Sequence, residues 1–172
     1  MRDRVIRDEI HRDILVPAHH ARIIDTHEFQ RLRNVQQLST CEFVFPSATH
    51  TRFAHSLGAY HLAGALTDSL QEVQPGLLSN EDAELVRLGA LLHDIGHPPY
   101  SHLLETPEVF ATYHSHEHWG RIMLENTSSE IGQVLDEVLG TERKKRLFSI
   151  LDGAKECDGV AIAPFLKEII SS

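Results

Sequence analysis

The chain has 172 residues, 16 Lys and Arg against 25 Asp and Glu for a formal net charge of −9, and 13 histidines. That length fits one globular domain able to fold without disulfides or a structural metal. The acidic balance argues against nucleic-acid binding through a basic surface. The N-terminal MRDRVIRDEI alternates charge with aliphatics instead of forming a signal-peptide core, and no run of 18 apolar residues reads as a membrane span. Cys41 and Cys157 are far apart with no CxxC, which suggests a reducing compartment and a cytoplasmic location.

Residues 5–16 (VIRDEIHRDILV) read as a small hairpin, because short aliphatic bursts are broken by charge. From Ala18 the pattern turns helical. Asp25 followed by Glu28 resembles a capping box opening a helix through Phe29, Leu32, Val35 and Leu38. A long helix is predicted over about 51–70, with His55, Ala59, Leu62 and Leu66 on one apolar face. Ser79 or Asn80 caps a third helix whose row is Leu85, Leu88, Leu92 and Ile95, stopped by Pro98-Pro99. Further helices are expected at His116–Leu124, Glu130–Leu139, Glu142–Leu151 and Pro164–Ile170. The predicted fold is all-α, a helical bundle behind a small N-terminal hairpin, in a single domain over 1–172.

The residues that carry chemistry are His55 on the second helix and the pair His93-Asp94 at the end of the third. Imidazole nitrogen and carboxylate oxygen suit a divalent ion such as Mn, Fe, Mg, Zn, Co or Ni. Two imidazoles buried on core helices beside a carboxylate are costly unless something satisfies them, and a metal ion would do so. Hydrogen-bonded core histidines are the competing reading, and an HD dipeptide alone is a weak signal. Density favours the metal: His93, Asp94, His97 and His102 fall within ten residues, with Gly96, Pro98 and Pro99 between them. The run 143–146 (RKKR) reads as a basic, solvated helix end.

These stretches resemble the HD-domain phosphohydrolases, and within them the deoxynucleoside triphosphate triphosphohydrolases. The resemblance rests on IIDTHEFQRLRNVQQL at 23–38, FVFPSATHTRFAHSLGAYHLAG at 43–64, LGALLHDIGHPPYSH at 88–102 and SHEHWG at 115–120. It implies an HD-domain bundle and a metal held by His55, His93 and Asp94. It also implies a late Asp as fourth ligand, with no counterpart before FLKEIISS, and hence that the 172 residues belong to a longer protein.

By the same resemblance His102 supplies a proton to the leaving oxygen, His97 and His116 line the phosphate channel, and Glu105 orients a histidine. Arg52 meets phosphate, while Gln37 and Leu38 touch the sugar. Asp25, Arg31 and Arg33 match a regulatory nucleotide site between subunits, which brings an allosteric nucleotide and a homo-oligomer (dimer or tetramer) into the expectation. Plainer readings stand beside these: solvent-facing histidines for His116, a surface ion pair for Arg52, core packing for Leu38, helix-face ion pairs for Asp25 and Arg33. The expected activity is metal-dependent hydrolysis of a dNTP to deoxynucleoside and triphosphate. The alternatives are an HD phosphodiesterase or nucleotidase on another phosphoester, and a catalytically idle nucleotide-sensing module.

Overall fold

The computed structural model describes residues 2–100 and 114–170. Strands β1 (Arg4–Asp8) and β2 (Arg12–Val16) form the expected antiparallel hairpin, with Arg4 opposite Val16. Asp8 Oδ1 closes its turn by accepting from the backbone N–H groups of Ile10 and His11. Alternation then buries Ile14 and Val16 and leaves Leu15 outside.

Helix α1 (Ala18–Ile24) is followed by the single turn α2 (His27–Gln30) and a 3-10 turn, Arg31–Asn34. The continuous helix expected from Asp25 through Leu38 does not form. A capping box needs the Asp25 carboxylate on a nearby backbone N–H. Instead Arg4 takes both Asp25 oxygens, at 2.6 and 2.7 Å. Glu28 reaches across the molecule to the backbone N–H groups of Glu130 and Ile131. Local helix signals are thus spent on tertiary partners.

Helices α3 (Arg52–Val73) and α4 (Asn80–Leu92) start where the sequence places them. Thr51 Oγ1 accepts from Ala54 N, and Ser79 Oγ from Asp82 N. They pack against each other through Phe53, Leu57, Tyr60 and Ala63 on α3 and the buried face of α4, which includes Leu85, Leu88, Leu91 and Leu92. The expected apolar row of α3 is displaced from this core. Leu62 is 56% and Leu66 45% exposed, and with His55 and Ala59 they line an open cleft facing Ile169 and Ile170. The periodicity was right, but the core occupies the neighbouring face.

Helix α5 (His116–Glu125) follows, then α6 (Glu130–Asp152), which Gly140 breaks at φ 70°, ψ 175°. That break separates the two helices read from the sequence. A hairpin of β3 (Glu156–Cys157) and β4 (Val160–Ala161), turned at Asp158-Gly159 with positive φ, was not anticipated. Helix α7 (Phe165–Ile170) closes onto α4. The architecture is the expected all-α bundle with a hairpin at its N-terminal end. Among the described residues no helix is long and apolar enough to cross a membrane.

The basic run is not a solvated end. Arg143 pairs with Glu81 and Glu84, Lys144 is buried against Asp136, Lys145 meets Asp158, and Arg146 forks onto Asp82 at 2.6 and 2.9 Å. The acidic start of α4 supplies the counter-charges of Arg143 and Arg146, so α6 is clamped to α4 by ion pairs that the linear sequence keeps about 60 residues apart. The Arg146–Asp82 fork is largely shielded from water. Arg146→Ala is expected to cost about 2 kcal/mol, as for a charge-assisted bidentate pair, measurable as a lower urea midpoint.

Candidate metal centre

Helix α4 stops at Leu92, and His93 is its C-cap, still helical at φ −56°, ψ −33°. The backbone then turns tightly, with Ile95 N–H on Leu92 O and His97 N–H on Asp94 O. Asp94 therefore points from a turn, not from the next position of a helix, and so swings back beside His93. Arg31 fixes this turn from outside by donating to the carbonyls of Ile95 and His97.

His55, in the first turn of α3, faces this turn. Its Nε2 lies 3.4 Å from His93 Nε2 and 3.5 Å from Asp94 Oδ2, and His93 Nε2 is 3.3 Å from Asp94 Oδ1. The His55 and His93 side chains are 38% and 23% exposed, half-buried at the rim and not fully buried as expected. Asp94 lies beneath them, buried.

The tautomer of His93 follows from its neighbour. Its Nδ1 lies 2.8 Å from Ala90 O, a carbonyl that can only accept, so Nδ1 carries the proton and Nε2 presents a lone pair. That lone pair faces a carboxylate oxygen and a second imidazole nitrogen. The two imidazoles and the carboxylate are together a donor set that a divalent cation takes. A tetrahedral ion with bonds of about 2.0–2.1 Å needs ligand atoms roughly 3.3 Å apart; the two imidazole nitrogens have that spacing, and each approaches a different oxygen of the Asp94 carboxylate at 3.3–3.5 Å. The residues fit a divalent metal ion.

Burial pushes the Asp94 carboxyl up, but its contact with His97 and the nearby charge of Arg52 outweigh this and hold it below the usual carboxylate range. Burial pushes His55 and His97 down from the ordinary imidazole value, with Asp94 pulling the other way. Anionic carboxylate and neutral imidazole are the forms that ligate metals.

The other expected site residues divide into two groups. His97, buried, lies 3.5 Å from Asp94 Oδ1 and stacks on His116 at 3.7 Å between ring centroids, with planes 14° apart. Arg52, 3% exposed, donates to Asp94 Oδ2 at 2.6 Å. These three surround the carboxylate from the inner side.

Gln37 and Leu38 lie in the loop after the 3-10 turn; Gln37 Oε1 is buried with no hydrogen-bond partner among the described residues, and Leu38 is exposed. Asp25 is paired with Arg4, and Arg33 binds Gln30 while its guanidinium covers the Phe53 ring at 3.6 Å. His102 and Glu105 lie outside the described residues.

Two contributors escaped sequence reasoning. Arg31 holds the carbonyls of the metal turn, but these lie 64 and 66 residues further along the chain, so nothing local signals it. Gly96 acts by close approach. A Cβ there would stand 2.0 Å from His116 O and 2.2 Å from Gly120 N, so only glycine lets α5 bring His116 onto His97.

Comparison with known proteins gives the family. The HD domain family model matches residues 52–159, a span holding His55, His93, Asp94, His97 and His116. An uncharacterized protein of Methanocaldococcus jannaschii is 39% identical over 155 residues, covering 90% of this chain and 31% of that protein. Human deoxynucleoside triphosphate triphosphohydrolase SAMHD1 is 43% identical over 137 residues, 75% of this chain and 21% of its own length. Its Dictyostelium discoideum homolog is 44% identical over 104 residues, 60% and 20% respectively. The chain thus spans between a fifth and a third of the length of these curated relatives. The match over residues 52–159 covers more than half of the chain, and the chain belongs to the HD-domain family.

Proposed function

We propose that the protein is a metal-dependent phosphohydrolase that cleaves deoxynucleoside triphosphates to deoxynucleoside and triphosphate. The observation that carries this reading is the convergence of His55 Nε2, His93 Nε2 and the Asp94 carboxylate at 3.3–3.5 Å, beside a stacked His97–His116 pair. The human and Dictyostelium relatives are named for the same reaction.

His55, His93 and Asp94 would hold a divalent ion, which would supply Lewis acidity and neutralise phosphoryl charge. Arg52 holds Asp94 as an anion and orients it; its fixed guanidinium also adds positive potential where phosphate oxygens gather. His97 and His116 border the phosphate path, and His102 gives the proton that the departing deoxynucleoside oxygen needs.

Gln37 Oε1, a buried acceptor lacking a partner among the described residues, matches the donor that a sugar hydroxyl offers. Asp25 and Arg33 form the regulatory nucleotide site of a homo-oligomer, a role that requires Asp25 to leave Arg4.

The test is incubation of the protein with each dNTP and Mn(II) or Mg(II), followed by phosphate-product analysis. Inorganic triphosphate is the expected product. Pyrophosphate or monophosphate in its place rejects the reading in favour of another phosphoester activity, and no release assigns the chain to nucleotide sensing. Gln37→Ala is expected to lower kcat/KM for dNTPs about tenfold relative to 3′-deoxygenated analogues, by loss of one hydrogen bond to the sugar.

A further inference from the structure

A second convergence of ligating atoms lies away from the HD centre, where α1 meets α4. His19 and His20 occupy the first turn of α1, and Glu84 stands near the start of α4. His19 Nε2 lies 3.0 Å and His20 Nε2 3.2 Å from one and the same oxygen, Glu84 Oε1. The two rings stand edge to face, 4.3 Å between centroids.

The surroundings fix each of the three. His20 Nδ1 is 2.8 Å from Tyr60 Oη, and both residues are buried in the α3–α4 core. Glu84 Oε2 accepts from Arg143 at 2.6 Å, which turns Oε1 toward the imidazoles. His19 is half exposed, and the cluster opens onto a surface pocket shared with Asp68, Gln71 and Asn80, so an ion and its waters have a way in.

We infer that His19, His20 and Glu84 form a second divalent-cation site, of the zinc type, which ties α1 to α4 and is separate from the HD centre. Two imidazoles and one carboxylate are a donor set that zinc takes with the remaining position left to water. The 3.0 and 3.2 Å separations approach the roughly 3.3 Å edge of a tetrahedron built on 2.0–2.1 Å bonds. Tyr60 accepts from His20 Nδ1–H in that state, which frees Nε2 and orients the ring, the usual outer partner of a ligating histidine.

A purely hydrogen-bonded cluster explains the arrangement less well. Arg143 already neutralises Glu84, yet both neighbouring rings aim at its other oxygen, including the solvent-facing ring of His19. Helix α1 has only seven residues, no acidic first turn and no side-chain N-cap, so a metal tie would supply an anchor its own sequence lacks.

The experiment uses the His93→Ala chain, in which the HD cluster is disabled, so the outcome does not depend on the proposed activity. After removal of metals and equilibration with Zn(II), elemental analysis is expected to find a bound equivalent of zinc, and zinc is expected to raise the Tm. Adding His19→Ala, a change at a half-exposed position, is expected to weaken this binding at least tenfold and abolish the Tm rise; Glu84→Gln is expected to do the same. Circular dichroism establishes that each variant is folded. A His93→Ala chain that takes up no zinc, or zinc uptake unchanged by His19→Ala, overturns the inference.

Discussion

Asp94→Ala is expected to remove one equivalent of bound divalent metal, abolish hydrolysis and strongly destabilise the fold, whereas His93→Ala is expected to do the first two with a much smaller loss of stability. The difference lies in what each side chain faces. Asp94 is buried and accepts from Arg52, itself buried, at 2.6 Å. Removing the anion withdraws that partner from a desolvated guanidinium, which costs about 3 kcal/mol. His93 is partly exposed, and its Nδ1 bond to Ala90 O ties it only to its own helix, so its loss costs about 1 kcal/mol. Elemental analysis, triphosphate release and urea unfolding measured on both variants separate ligation from structure. A His93→Ala chain that retains turnover would contradict the ligand assignment.

Gly96→Ala is expected to lower stability by roughly 3 kcal/mol and to depress turnover while His55, His93 and Asp94 keep their metal. The added Cβ meets backbone, His116 O at 2.0 Å and Gly120 N at 2.2 Å, and backbone cannot swing aside as a flexible side chain can. Helix α5 must move as a unit, which opens the 3.7 Å stack of His116 on His97. The expected signature is a lower Tm and lower kcat at unchanged HD-site metal content. An unchanged Tm would show that α5 is not docked through this glycine.

Much of the fold is legible where a signal is local. Thr51 and Ser79 cap their helices through their own backbone, and Gly140 breaks α6 by its own φ, so each is readable in a short window. Signals that compete with distant partners misled. Asp25 and Glu28 have the spacing of a capping box, but Arg4 and the start of α6 claim both carboxylates. The 143–146 run looks like a solvated basic patch until the acidic turn of α4 lies against it. The candidate centre was legible as a set of residues because histidine and His-Asp recur in a recognisable pattern, yet the exposure of His55 and His93 was misjudged because periodicity identifies a face without saying which face meets the core.

The sequence by itself determined the helical class, the starts of α3 and α4 and which residues are candidate ligands, since caps, breaks and donor atoms are properties of single side chains and their immediate neighbours. Only the tertiary structure decided that Arg52 neutralises Asp94, that Arg31 holds the turn carrying it, that Gly96 admits α5, and that His19 and His20 share an oxygen of Glu84. Each of those contacts joins elements far apart in the chain. Their energies depend on distance and burial, which packing sets and linear order does not encode.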